Sequence, residues 1–173
     1  MYGSSYLEVA DFNRDGFPDL VYANGDNADF STSLKAYHGI RIYLNDGQNN
    51  FKQAFFYPLH GATKVIPLDY DQDGDLDLAA IAFFPDFARK PQESFVYLEN
   101  KGRLRFGAST FANSGAGHWL TMDAGDLDQD GDADLVLGSS LQAPAYVPPA
   151  MLASWSASGI SILVLRNKRK DKK

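Results

Sequence analysis

The chain contains no cysteine, which removes disulfide cross-links, thiolate metal sites and thiol nucleophiles together. No apolar run approaches the roughly 20 residues of a membrane helix. The opening residues MYGSSYLEVADF lack the cationic and apolar parts of a signal peptide, so an export signal, if there is one, is expected outside this sequence. No stretch sustains a 3.6-residue apolar period, and the segment Met151 to Ser158 is the best candidate for a helix in a chain otherwise expected to be nearly all β. Basic residues number 16 against 22 acidic ones, and nothing resembles a broad cationic face for nucleic acid.

What the chain does have is one pattern written three times. DFNRDGFPDLVYA begins at Asp11, DYDQDGDLDLAAI at Asp69 and DLDQDGDADLVLG at Asp126, so the starts lie 58 and 57 residues apart. Counted from the first Asp, oxygen-bearing side chains stand at positions 1, 3, 5 and 9, a Gly at 6 and a Leu at 10. A hard cation needs six to eight oxygens at roughly 2.3 to 2.6 Å, held by a backbone that can fold around it. Asp11, Asn13, Asp15 and Asp19 offer four, and the carbonyl of Phe17 a fifth. The second set is Asp69, Asp71, Asp73 and Asp77 with the Asp75 carbonyl; the third is Asp126, Asp128, Asp130 and Asp134 with the Asp132 carbonyl. Gly16, Gly74 and Gly131 fall where the chain must turn sharply, and a positive φ is expected at each.

Electrostatics favours a metal in such a loop. Two carboxylates 4 Å apart repel by about 1 kcal/mol in bulk water and about 4 kcal/mol at an effective dielectric of 20. An Asp- and Gly-rich surface turn is the plainer alternative, and repetition in one register argues against it. The loops hold 13 of the acidic residues, and three Ca²⁺, one per loop, would bring the formal charge of -6 to zero. The acidity therefore belongs to the loops and does not signal a basic partner.

The flanks repeat as well. Short runs that suit strands enter each loop (Tyr6 to Ala10, Val65 to Leu68, Leu120 to Ala124) and leave it (Leu20 to Ala23, Leu78 to Phe83, Leu135 to Leu137). A third run follows an insertion: GIRIYLN at Gly39, SFVYLEN at Ser94 and SILVLRN at Ser161. A fourth, Phe51 to Tyr57 in the first unit and Leu104 to Phe106 in the second, completes a four-stranded antiparallel sheet. Periods of this length indicate stacked units. The expected units are residues 1–60, 61–116 and 117–167, followed by a basic tail at 168–173 that is most simply a solvated end.

The loops DFNRDGFPDL, DYDQDGDLDL and DLDQDGDADL, with their spacing, resemble the FG-GAP or VCBS repeat family, and the likeness covers almost the whole chain. The resemblance implies blades of a calcium-binding β-propeller, as in integrin α-subunit heads, and an extracellular, periplasmic or cell-surface location. The Gly-Ala-Pro element of the family name is absent and Phe106-Gly107 is the only Phe-Gly pair, so the loop carries the likeness. An EF-hand or dockerin uses a similar loop between helices, with a bidentate Glu at position 12. Here position 12 is Tyr22, Ala80 and Leu137, and strand-forming residues follow.

Propellers normally close with four to eight blades, and the third unit ends after SILVLRN without a fourth strand. The expectation is a segment of a larger propeller, with a ring of several copies or an open arc as alternatives. In a meander the calcium loops share one end and the connections between second and third strands share the other. Those connections, beginning at Asn24, Pro85 and Leu141, are the expected recognition surface for a protein or glycan, with Tyr37, His38, Arg89, Tyr146 and Trp155 the first residues to test. Trp119 and Trp155 suit a sugar stack or, more simply, the core. A glycan-degrading enzyme on a calcium-binding propeller is the alternative function; Asp26, Asp29, Lys35 and His38 share one loop, but no nucleophile triad or phosphate-cradling loop is present. His60 and His118 stand alone, and no membrane insertion is expected.

Overall fold

The computed structural model describes residues 3–25, 33–140 and 147–168. Within them the chain folds into three antiparallel sheets, each a meander in chain order. The first contains β1 (Tyr6–Ala10), β2 (Asp19–Asn24), β3 (Gly39–Asn45) and β4 (Phe51–Pro58). The second contains β5 (Ala62–Leu68), β6 (Asp77–Ala82), β7 (Phe95–Asn100) and β8 (Phe106–Ser109). The third has β9 (Trp119–Gly125), β10 (Asp134–Ser139) and β11 (Ile162–Leu165).

Two-residue alternation decides how the sheets stack. Val21 and Ala23 of β2 share a core with Leu78, Ala80 and Ala82 of β6. The intervening residues of β6, Ala79 and Ile81, point the other way and pack with Trp119, Met122, Leu135 and Leu137. All six residues of β6 are buried, as a strand covered on both faces must be. Its alanines leave room for larger residues from either neighbour.

The first hairpin of each sheet closes on the same residue. Ala10 pairs with Asp19, Leu68 with Asp77 and Gly125 with Asp134, so the ninth loop position always opens the second strand. These strands exclude the helix-flanked reading of the loops. β8 begins at Phe106, two residues later than the apolar run suggests, because Arg103 and Leu104 adopt φ of 58° and 55° and belong to the turn.

The doubtful segment near Met151 is a helix, α1 (Pro149–Ser158). Pro149 suits a first helical position, and Gly159 ends the helix at φ 60° with its N–H donating to Trp155 O. Trp155 is the one residue of α1 that is buried, which is why no apolar stripe announced it. Its indole stacks on His118 at 4.8 Å, and the other face of that imidazole lies on Phe83 at 3.7 Å. Trp155 Nε1 donates to Gly115 O at 2.8 Å. One side chain thus fastens α1 across the junction of the second and third sheets.

His118 Nε2 lies 2.7 Å from Phe83 O, and burial holds the imidazole below its ordinary pKa. In the unfolded chain it would protonate near pH 6.5. Its contribution to stability is therefore complete above about pH 6.5 and is lost as pH falls through the depressed folded value. Melting temperatures measured from pH 7 to pH 5 should fall, and the fall should be smaller in His118→Gln. Equal falls in the two proteins would remove His118 as the cause.

Candidate metal centre

Each candidate loop joins the first two strands of a sheet, and neighbouring loops touch. Arg14 Nη2 of the first lies 3.0 Å from Asp75 Oδ1 of the second, and Gln72 Nε2 of the second donates to Gly131 O of the third at 3.1 Å. Arg14 and Gln72 occupy position 4 of their loops. Gly16, Gly74 and Gly131 have φ of 87°, 98° and 91°, as the turn requires. In all three loops the glycine N–H donates to a carboxylate oxygen of position 1: Asp11 at 2.9 Å, Asp69 at 2.9 Å and Asp126 at 3.1 Å. The first Asp therefore curls the turn back on itself.

Carboxylates meet in two of the loops. Oxygens of Asp69, Asp71 and Asp77 lie within 4.8 Å of one another, as do those of Asp126, Asp128 and Asp130. In the first loop Asn13 stands at position 3; its Nδ2 donates to Asp15 Oδ2 at 2.8 Å, and Asp15 Oδ1 accepts the Phe17 N–H at 2.9 Å. The fifth-position carboxylates Asp73 and Asp130 accept the N–H of position 7, at 2.8 and 3.2 Å.

The donors are all oxygen, and Asp69 Oδ1 is buried without a hydrogen-bond partner. Burial pushes the Asp71 carboxyl up, with repulsion from Asp73 and Asp69 adding to it. Crowded, partly desolvated carboxylates of this kind fit a hard divalent cation, which satisfies both the orphaned oxygen and the repulsion.

The ninth-position Asp has a further task. Asp19 and Asp77 are 0% exposed and Asp134 1%. One oxygen of each accepts the N–H of loop position 2, from Phe12 at 2.9 Å, Tyr70 at 3.3 Å and Leu127 at 3.1 Å. The other accepts a backbone N–H beyond or at the end of the third strand, from Asn45 at 2.8 Å, Asn100 at 2.8 Å and Asn167 at 2.9 Å. Asp77 also receives the Tyr97 hydroxyl at 2.6 Å. Burial nevertheless pushes its carboxyl up, against the lowering effect of the Tyr97 and Asn100 hydrogen bonds.

The three asparagines complete the arrangement. Asn45 and Asn100 return their side-chain amides to the carbonyls of Pro18 and Leu76, at 3.0 and 3.2 Å. Asn167 sends its amide across to Tyr70 O of the second sheet at 2.7 Å. Sequence reasoning missed these residues, although the signal was present: each third run, IYLN, YLEN and VLRN, ends in Asn.

Asp132, expected to contribute only its carbonyl, has a buried carboxylate with neither oxygen hydrogen-bonded. Its carboxyl is pushed up by burial, with Asp130 adding repulsion.

The expected recognition residues separate. Arg89 is exposed and Tyr37 half-buried, but His38 and Trp155 are 1% and 3% exposed and belong to the interior, not to a contact surface. His38 Nδ1 accepts the Gly61 N–H at 3.1 Å, and Trp155 is held in the ring stack. Trp119 is fully buried, with Nε1 donating to Ser114 O at 2.6 Å. Both tryptophans are therefore core residues and not a sugar platform. Tyr146, Asp26 and Asp29 lie outside the described residues.

Successive antiparallel meanders stacked face to face, each with an acidic first hairpin, are compatible with blades of a β-propeller-type protein. More particularly, residues 11–80 match the family model described as an FG-GAP-like repeat, a span that runs from the first loop through the second. No curated protein matches the chain.

Asp77→Ala should lower stability by about 2 to 5 kcal/mol without any metal, because two backbone N–H groups and a hydroxyl lose their acceptor. Asp71→Asn, which keeps the acceptor for Asp73 N–H, should change it by less than about 1 kcal/mol. Urea unfolding in the presence of chelator measures both, and similar losses would show that the two aspartates do the same work.

Proposed function

We propose that the chain is a calcium-stabilised, non-catalytic β-propeller-type module that presents loops to a protein or glycan outside the cytoplasm. The observation that carries this reading is the triple loop. Position 1 bonds the turn glycine in every copy, and carboxylate oxygens converge in two copies. Asp69, Asp71 and Asp77 would hold one ion, Asp126, Asp128 and Asp130 another, and Asp11, Asn13, Asp15 and Asp19 a third. Bound calcium would supply positive charge that offsets carboxylate repulsion. The chain's own residues set the turn, align the oxygens and anchor the hairpin to the third strand.

The connections between second and third strands emerge from the opposite end of each meander. Among the described residues, Tyr37 and Arg89 are the expected recognition residues that retain exposure there. A partner held at that end would leave the calcium loops free.

A cation that binds only the folded chain stabilises it by about 2.7 kcal/mol per site at 100 times its dissociation constant. Melting with excess EDTA, and again after calcium is restored, should give a lower and then a recovered midpoint, with the gain reduced to what the first loop supplies in a variant carrying Asp71→Asn and Asp128→Asn. A midpoint indifferent to calcium would sink the metal reading. On glycan and protein arrays, Arg89→Glu should weaken partner capture without moving the calcium-dependent midpoint, and defined polysaccharides should be recovered uncut.

A further inference from the structure

Position 4 of the acidic loops is marked by its backbone. Arg14, Gln72 and Gln129 have φ of 60°, 58° and 63°, a left-handed conformation that is costly for a long side chain. The oxygens on either side hold it there. Asn13 Oδ1 accepts the Asp15 N–H at 3.1 Å, and Asp71 Oδ1 accepts the Asp73 N–H at 3.1 Å. Residue 4 is thus bracketed by positions 3 and 5, and Asp71 is one of the three aspartates whose oxygens converge in the second loop.

The side chain at position 4 leaves its own loop for the next one. Arg14 Nη2 reaches Asp75 Oδ1 at 3.0 Å and covers Gly74, where a Cβ would come within 2.9 Å of it. Gln72 Nε2 donates to Gly131 O at 3.1 Å. Both contacts run in one direction, from position 4 of a loop to position 6 or 7 of its successor. They fall on the turn that carries the successor's fifth-position carboxylate. The peptide joining Gly131 to Asp132 accepts from Gln72 at its oxygen and donates to Asp130 at its nitrogen, and the Asp75 N–H donates to Asp73 in the same way. Arg14 is 59% exposed, and an exposed ion pair contributes little to stability by itself. Its consequence lies in what it joins.

We propose that the acidic loops are coupled in series, with Arg14 and Gln72 as the links, so that a cation held by one loop raises the affinity of its neighbour. The coupling rests on the calcium reading and specifies how its sites depend on one another. An ion that relieves the repulsion in one loop fixes positions 3 and 5, and with them residue 4. The turn that residue 4 holds in the next loop then loses less conformational freedom when it closes on its own ion. The effect is reciprocal, as linkage requires. Charge acts in the opposite sense. Removing the Arg14 guanidinium from beside Asp75 leaves the second loop more negative, which by itself draws calcium in more strongly. Coupling and charge therefore predict opposite signs for Arg14→Ala, and Gln72→Ala tests the second link with no change of charge.

The turn glycines report the loops one at a time, because the N–H of Gly16, Gly74 and Gly131 each donates to the first aspartate of its own loop. Their amide resonances in the full chain, followed through a calcium titration, give a midpoint for each loop. Gln72→Ala should move the Gly131 midpoint to about threefold higher calcium, and Arg14→Ala should do the same to Gly74. Asp71→Asn, which removes a charge from the second loop, should also shift Gly131 and should add little once Gln72 is alanine. Arg14 and Gln72 belong to neither apolar core, and the calcium-free spectra show directly that the variants are folded. An unmoved Gly131 midpoint in Gln72→Ala overturns the coupling, as does a Gly74 midpoint that falls in Arg14→Ala. An Asp71→Asn shift that adds in full to that of Gln72→Ala overturns it too. Each of those results leaves calcium binding standing, whereas glycine resonances indifferent to calcium would overturn the calcium reading and the coupling together.

Discussion

A buried carboxylate with every oxygen spoken for organises each sheet. Asp19, Asp77 and Asp134 accept one N–H from their own loop and one from the asparagine that follows or ends the third strand. A charge in that position is tolerable only because donors surround it. The same two bonds fix the loop's entry, the start of the second strand and the exit of the third. Three segments that are 23 to 33 residues apart in sequence, measured from Asp to Asn, become one rigid corner.

From that corner the rest of the stacking follows. Once the ninth-position Asp starts the second strand, alternation sends Leu78, Ala80 and Ala82 to one core and Ala79 and Ile81 to the other. A slip of one residue would exchange the two faces and would also move Asp77 out of reach of Asn100. Polar anchoring and apolar packing therefore select the same register, and neither has to specify it alone. The loop-to-loop contacts of Arg14 and Gln72 then join the acidic ends of sheets already stacked through their cores.

How much of this was legible depended on whether a residue's role is local. The acidic loops, their glycines and ten of the eleven strands are short-range patterns read directly from spacing; the eleventh, β8, was displaced because two non-glycine residues, Arg103 and Leu104, take left-handed conformations that apolar periodicity does not register. α1 was nearly invisible because its attachment is a single tryptophan whose partners, Gly115 and His118, come from another part of the chain. His38 and Trp155 were misplaced on the recognition surface for a related reason. Loop membership suggests exposure, while a ring stack and a backbone hydrogen bond bury them. The asparagines of the corner carried a visible repeat, but only the fold reveals what they bind.

The division of labour within the acidic loops follows from exposure. A carboxylate that accepts two backbone N–H groups in the interior stabilises the fold with or without a cation, so Asp77 would link metal-free folding to any ion it helped to hold. Asp71 and the trio Asp126, Asp128 and Asp130 reach solvent, so water weakens the repulsion within the trio, while partial desolvation still holds the Asp71 carboxyl up. The buried aspartates therefore define the hairpins without a cation, and a bound cation would act only on the repulsion that remains among the loop carboxylates. Any effect of a bound ion on the opposite end of the sheets would have to pass along strands whose ends are already fixed by the buried aspartates. That would confine it to stiffening the corner, so that a bound ion would make the acidic loops staples of the scaffold in preference to a switch for the distant connections.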